Sequence, residues 1–343
     1  MDSAKYNSGI ARTNCAESAA YPSLSRRRFL QVAASMAGSS LIAEAQESSP
    51  PQRLGVPPGT PKSRVVKYQS RKLVRGRTVH QQMLTDAFAV TLTNTVPNAQ
   101  NPVQAWQSLL QPSDVVGIKF NRSAQDALGT TPTMAATIIE SLISAGFAAD
   151  RLVCIEAPEE TRIAFGTARP RPGYTEAVHD FGSGADQLSA VLDQVTAIIN
   201  VPFLKTHNIA GITCALKNLS HGLVKHPARY HSNGCAPYIA DIVALDPIRS
   251  KLRLCVVDAL RMVFDKGPSA TAETIADEGI ILASTDPVAI DSIGLALIDN
   301  VRAERRLPRI AETSANLEYL ANAHKKGLGI AVPHGIDVVT LAE

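Results

Sequence analysis

Two hydrophobic periods alternate along the chain. Seven short runs of mainly β-branched and aliphatic residues, Val65–Val66, Val115–Phe120, Leu152–Ile155, Ala197–Val201, Leu252–Val257, Ile280–Ala283 and Ile336–Val339, have the length and composition of buried strands. Between them lie longer stretches with apolar residues at three- and four-residue intervals. These predict helices around 79–92, 102–110, 133–145, 209–221, 236–245, 287–304 and 314–325. Strands that are apolar throughout need cover on both faces, and helix-length segments between them supply it. The expected fold is therefore α/β, a largely parallel sheet with helices on both faces. No internal repeat of fixed period is visible.

Several of the runs end in a polar residue. Asn121 follows IKF, Glu156 follows VCI, Lys205-Thr206-His207 follows the fourth run, Asp258 follows CVV, and Ser284-Thr285-Asp286 follows ILA. Open α/β sheets bind ligands outside the carboxyl ends of their strands. Residues scattered over much of the chain are thus expected to meet in one crevice.

The first residues have a different character. Ser25-Arg26-Arg27-Arg28-Phe29-Leu30 precedes a mild apolar stretch, Val32 to Ala43, and a small-residue site, Ala43-Glu44-Ala45. This arrangement resembles a twin-arginine (Tat) signal peptide, with residues 1–45 cleaved. The resemblance implies passage of the folded chain through the Tat translocon of a bacterium to a periplasmic or extracellular location, often with a cofactor already in place. The apolar stretch is shorter than the roughly 20 residues of a membrane span, so no stable membrane anchor is expected. Residues 46–63 hold five prolines and read as an extended linker, with a single domain over 64–343. Loss of residues 1–45 removes five basic side chains (Lys5, Arg12, Arg26, Arg27, Arg28) and three acidic ones (Asp2, Glu17, Glu44). The net charge then falls from +3 to +1. A near-neutral chain lacks the basic excess of a general nucleic-acid or anionic-membrane binder.

Beyond residue 45 the cysteines are Cys154, Cys214, Cys235 and Cys255. Four cysteines in an oxidising compartment allow two disulfides in three pairings. Cys154 and Cys255 lie inside apolar runs, where a buried thiol is the simpler reading. No C-x-x-C pair or ferredoxin-type cysteine run occurs, so the cysteines do not support a [4Fe-4S] cluster.

The segment KTHNIAGITCALKNLSHG, residues 205–222, concentrates polar chemistry without a carboxylate. Read as a helix over 209–221 with Asn208 as N-cap, it places Thr213, Cys214, Lys217, Asn218 and His221 on one face and Ile212, Leu216 and Leu219 on the other. No carboxylate lies between Asp193 and Asp241. The same window carries Lys205, Lys217, Lys225, Arg229, His207, His221, His226 and His231. A locally positive pocket suited to an anionic small molecule follows.

Val201-Pro202 followed by Lys205-Thr206-His207, Thr213, Lys217-Asn218 and Gly222 resembles the hallmark of the DUF362 family, a group of unknown function found in bacteria and archaea. The strand ending in Asp258 with Lys266-Gly267-Pro268 after it, and Ser284 through Asp291, match the same pattern. The resemblance covers roughly residues 110–300. Some relatives carry an attached ferredoxin-like iron–sulfur segment, whose cysteines this chain lacks. The family pattern is the only reason to include Asp291 among site candidates. Asp286 before Pro287 has the chemistry of an ordinary N-cap, and Glu156 that of a cap or ion-pair partner.

Three functional readings remain open. In the first, an enzyme holds an anionic substrate or cofactor with Lys205 and Lys217 and orients it with Thr206, Thr213 and Asn218. His207 transfers protons near its ordinary pKa, Asp258 sets a histidine tautomer or binds a metal, and a desolvated lysine acts as base or nucleophile. The second is a metal- or cofactor-binding redox protein, whose candidate transition-metal ligands are His207, Cys214, His221, His226, His231 and Cys235. The third is a non-catalytic binding protein for an anionic small molecule, using the same lysines.

Overall fold

The structure, a computed structural model, describes residues 62–313 and 317–342. The expected signal, residues 1–45, and most of the expected linker lie outside these residues. Thirteen strands are described: β1 (Ser63–Gln69), β2 (Val74–Arg75), β3 (Thr78–Val79), β4 (Val116–Lys119), β5 (Leu152–Ile155), β6 (Tyr174–Asp180), β7 (Ala185–Ser189), β8 (Ala197–Asn200), β9 (Phe203–His207), β10 (Gly211–Thr213), β11 (Leu252–Val263), β12 (Ile275–Ser284) and β13 (Ile336–Ala342). Each of the seven apolar runs overlaps a strand. Ser63, placed in the linker by composition, already belongs to β1.

Nine strands form one sheet in the order β13-β1-β12-β11-β8-β4-β5, with β9 beside the distal half of β11 and β10 beyond it. The block β11-β8-β4-β5 is parallel, as are β9 with β11 and β1 with β13, whereas β12 runs antiparallel to both its neighbours. The sheet is therefore mixed and largely parallel. Two small hairpins, β2-β3 and β6-β7, stand outside it.

The helices are α1 (Gln81–Thr95), α2 (Pro102–Leu109), α3 (Gln125–Leu128), α4 (Thr131–Ser144), α5 (Glu159–Phe165), α6 (Ala215–Ser220), α7 (Tyr238–Val243), α8 (Asp246–Arg249), α9 (Pro287–Glu304), α10 (Ile310–Thr313) and α11 (Glu318–Lys325). Successive residues of the central strands enter opposite cores, as a pleat of period two requires. Leu152, Ile199, Val256 and Ile281 pack with α1, α2 and α4, around Phe88 and Trp106. Val153, Ile198, Val257 and Leu282 pack with α6, α7, α9 and α11. Burying a large apolar side chain contributes about 1.5–3 kcal/mol, so both helical layers are held by the sheet and not by their own propensity.

One expected element is replaced. Residues 203–213 form the β9-β10 hairpin, with Gly211 paired to His207 and Thr213 to Lys205. The helix expected over 209–221 is only α6, and Asn208 is not its N-cap. Gly211 adopts a φ of 76°, a left-handed conformation that opens β10 and suits glycine. Helix α9 runs beneath the hairpin. A Cβ on Gly294 would lie 2.9 Å from Leu204 Cδ1 and 3.4 Å from Cys214 Sγ, so glycine there permits the close approach.

Candidate functional site

The carboxyl ends of β4 and β5, the β9-β10 hairpin and α6 surround a cavity of about 310 Å³. Among its lining residues are Asn121, Arg122 and Ser123 after β4, Glu156 after β5, Lys205 and His207 on β9, and Thr213 on β10. Lys217, Asn218 and His221 come from α6 and its end, Gly222 and His231 from the loop beyond, and Pro268 from the loop after β11. Residues far apart in sequence thus meet at the strand ends. A second cavity, of about 540 Å³, adjoins the first through Arg122 and Glu156 and extends to Gln125, Asp126 and Glu159.

A chain of buried amides organises the inner wall. Asn200 Nδ2 donates to the carbonyl of Ala215 at 3.1 Å, which turns its Oδ1 toward Asn218 Nδ2 at 2.7 Å. Asn218 Oδ1 then accepts from Lys119 Nζ and Asn121 Nδ2, both at 3.1 Å. Asn121 Oδ1 in turn accepts from Lys205 Nζ at 3.1 Å. Because a carbonyl can only accept, the Ala215 oxygen fixes the orientation of every amide up to Lys205. Asn218 spends its donors and acceptors inside this network, so it positions Lys119 and Asn121 rather than a ligand.

The three lysines of the wall differ. Lys119 is fully buried, and its Nζ reaches the carbonyl of Phe120 at 2.7 Å, Glu156 Oε2 at 2.9 Å and Asn218 Oδ1. Burial pushes its pKa down, and Glu156 opposes the shift. Glu156 holds a φ of 60° and also accepts the amide of Arg122 at 3.0 Å. Lys205 donates to Asn121 and to the carbonyl of Ser123 at 2.8 Å. Burial, with the charges of Lys217 and Lys119, lowers its pKa to about 7. Lys217 is lowered to about 8 by burial, opposed by Cys235. Gly222 is required at this wall, since a Cβ would lie 2.6 Å from both Lys119 Nζ and Asn218 O.

The histidines have assigned tautomers. His207 Nδ1 accepts the amides of Ile209 and Ala210, each at 3.1 Å, so its Nε2 carries the hydrogen. Burial foremost, then Lys217, His231 and Lys205, push its pKa to about 3. A proton-transfer role near pH 6.5 does not fit this environment, and the neutral ring serves as a hydrogen-bond donor. His231 Nδ1 donates to Pro227 O at 3.0 Å, leaving Nε2 to accept from Lys217 Nζ at 3.3 Å. His221 Nε2 donates to Tyr230 O at 3.1 Å, and burial lowers its pKa to about 2. His231 stacks on His207 at 5.6 Å and meets His221 edge-on at 4.7 Å.

Ligand atoms of His221, His231 and Cys235 lie within 4.8 Å of one another. Of the expected metal ligands, this trio converges, with His207 beside it. Cys214 is fully buried and bonded to Asp291, and His226 pairs with Asp186 at 2.9 Å. Lys217 contacts both His231 and Cys235, so a metal ion must displace its ammonium. All four described cysteines are free and buried, so neither of the two disulfides that their number allows is formed.

Four acid or hydroxyl candidates lie away from the cavity lining. Asp258 sits in the middle of β11, accepting from Thr130 Oγ1 at 2.6 Å and Leu260 N at 3.3 Å; burial raises its pKa to about 6. It reaches no histidine and does not line the cavity. Thr206 Oγ1 accepts the Gly267 amide at 2.9 Å, fixing the loop that carries Pro268. Asp286 caps α9 through Val288 N and Ala289 N, both at 2.8 Å, and also accepts from Ile330 N and Ser63 Oγ. Asp291 accepts Ala215 N at 2.6 Å and Leu216 N at 3.3 Å, capping α6 from a neighbouring helix. Its role is to place Lys217.

Lys119, Asn200, Arg122 and Ser123 were not anticipated. The available signal is a lysine and an asparagine inside otherwise apolar runs.

Residues 184–296 match the family model of DUF362, a domain of unknown function. This supports the resemblance read from the motifs, over a narrower span that includes Lys205, Lys217 and His231 but not Lys119, Asn121 or Glu156. No curated protein matches the sequence.

Proposed function

We propose that the protein is an enzyme acting on, or with, a small organic anion held in this crevice. The observation that carries the reading is the pair of buried lysines, Lys205 and Lys217, facing one cavity whose sole lining carboxylate among the described residues, Glu156, is already engaged by Lys119 and the Arg122 amide. Lys217, the Nε2–H of His207 and the hydroxyl of Thr213 are the donors for the anion. Lys205, with a pKa of about 7, is the group able to give or take a proton at neutral pH. Calorimetry and thermal shift against small carboxylates and phosphates test this. Stoichiometric binding that weakens at least about tenfold in Lys217→Gln is expected, since a charged hydrogen bond contributes about 1.5–3 kcal/mol. No response to any of these anions overturns it. Binding without turnover, unchanged in Lys205→Met, would instead identify a non-catalytic binding protein.

The convergence of His221, His231 and Cys235 favours one second reading, a transition-metal site on the flank of the cavity. Elemental analysis of protein purified without chelators tests it: stoichiometric metal lost in His231→Ala supports it, and metal-free protein sinks it.

We also propose that the chain is exported by the twin-arginine route to the periplasm or beyond. Arg26-Arg27, the apolar stretch and the small-residue site support this. Replacing both arginines by lysine should trap the protein in the cytoplasm; unchanged export argues against the route.

A further inference from the structure

The buried lysines around the cavity have different numbers of acceptors. Lys119 Nζ has three, Phe120 O, Glu156 Oε2 and Asn218 Oδ1, which take all the hydrogens of an ammonium and include a counter-charge. Lys205 Nζ has two, Asn121 Oδ1 at 3.1 Å and Ser123 O at 2.8 Å, and both are neutral. Two acceptors take the two hydrogens of a neutral amine and leave the nitrogen lone pair pointing away from them. Lys205 lines the cavity, which is the open side of the amine. The amide chain from Ala215 keeps Asn121 from rotating its NH2 toward Lys205. Lys217 and Lys119 oppose a third positive charge nearby.

We propose that Lys205 is a nucleophilic amine that forms an imine with a small 2-oxo or 3-oxo carboxylate, a reading that rests on the anion-binding role of the same cavity. The carboxylate lies against Lys217 and the His207 Nε2–H, which brings the carbonyl carbon to Lys205. The amine lone pair forms the C–N bond as the carbonyl π pair moves to oxygen, and one amine proton passes to that oxygen. The C–O bond then breaks, and the departing oxygen takes the second amine proton and leaves as water. Carbonyl plus amine thus give imine plus water, with no change of oxidation state. The Lys217 ammonium is the cavity's donor for the departing oxygen. The volume of about 310 Å³ suits an acid of a few carbons.

The test uses the full chain with pyruvate or acetoacetate and sodium borohydride, which reduces an imine to a stable secondary amine. Intact mass and peptide mapping are expected to show one adduct, on Lys205, formed more than about tenfold faster at pH 7 than on any surface lysine, whose neutral fraction is far smaller. Lys205→Met, which removes the amine, should lose the adduct. Binding of pyruvate or acetoacetate by calorimetry, with no adduct or with adducts only on other lysines, overturns the imine while leaving the anion site standing. Failure of both acids to bind, with no adduct, overturns the imine; the wider anion panel then decides the underlying reading separately.

Discussion

His207 and Ala210 are joined by a hydrogen bond of 3.1 Å from the backbone amide to ring Nδ1, within the turn of the β9-β10 hairpin. With the Ile209 amide on the same nitrogen, the turn uses up the only lone pair of the neutral imidazole and leaves Nε2–H at the cavity. Protonating Nδ1 would set an N–H against two N–H donors, which adds to the burial that holds the pKa near 3.

His207 is accordingly expected to remain in the neutral Nε2–H form from pH 5 to 8 when its ring nitrogens are followed by NMR. A midpoint within that range would show that the hairpin does not hold it. His207→Leu removes one cavity donor and should weaken binding of a small anion about tenfold, the consequence of a hydrogen bond worth ~1–1.5 kcal/mol. The pH dependence of that binding should be unchanged, because His207 does not titrate there.

Asp291 should matter to the site without touching a ligand. It is fully buried and satisfies two amides at the start of α6, the helix that carries Lys217 and Asn218. Burial raises its pKa to about 7. Asp291→Leu leaves both amides unsatisfied and should destabilise the fold by about 2–6 kcal/mol, at ~1–3 kcal/mol per stranded buried donor. Asp291→Asn keeps one acceptor oxygen and should cost less. Urea midpoints of the two variants check the ranking, and equal losses would count against a capping role.

The strands were legible because each is an apolar run bounded by polar residues, and the burial of the sheet on both faces follows from that. The 209–221 error has a physical origin. All five residues of β9 and all three of β10 are buried, so the hairpin shows no alternation, and its residues joined the pattern of α6 behind them. Gly211 was the warning, because glycine in a helix interior costs about 1 kcal/mol. Asn121 and Glu156 could be chosen because strand ends gather them, and Lys205 and Lys217 because both stand in the carboxylate-free segment 205–222, whatever the local conformation. Asp258 misled for the converse reason. Its strand continues to Val263, so an aspartate that follows an apolar run lies mid-strand. Lys119 and Asn200 lie inside the runs Val115–Phe120 and Ala197–Val201, and only the three-dimensional amide chain explains two buried polar groups there.

The depressed lysines predict how stability depends on pH. Unfolded lysine titrates near 10.4, whereas Lys205 and Lys217 titrate near 7 and 8 in the fold. Between these values the unfolded chain binds more protons, so these residues make stability rise with pH and fall again as the pH is lowered toward 7. The slope approaches about 1.4 kcal/mol per pH unit for each group. Buried thiols work in the opposite direction above about pH 8.5, as burial raises Cys214 and Cys255. The useful comparison is therefore wild type with Lys205→Met. The variant should be the more stable at pH 7, with an advantage that shrinks by about 2 kcal/mol by pH 9; a constant difference would mean that Lys205 stays charged.

The Lys119–Glu156 pair should respond asymmetrically to substitution. Lys119 is an ammonium with no exposure, and Glu156 is its counter-charge at 2.9 Å with a side chain 29% exposed. Glu156→Gln removes the charge and leaves the ammonium in the core, a change expected to cost on the order of 3 kcal/mol. Lys119→Met leaves a carboxylate that water already reaches and that still accepts the Arg122 amide, so the loss should be smaller. Methionine cannot donate to Asn218, however, and the amide chain then loses one of the two donors on that oxygen. In Lys119→Met, Asn200 still orients the Asn218 amide, but Asn218 is held less firmly in place, and with it Asn121 and the acceptor of Lys205. Anion binding should therefore fall in a variant whose urea midpoint changes little, whereas Glu156→Gln should show its main effect in the midpoint. Measuring both quantities on both variants separates the two roles, and a Lys119→Met protein with unchanged anion affinity would sever the proposed link between the amide chain and Lys205.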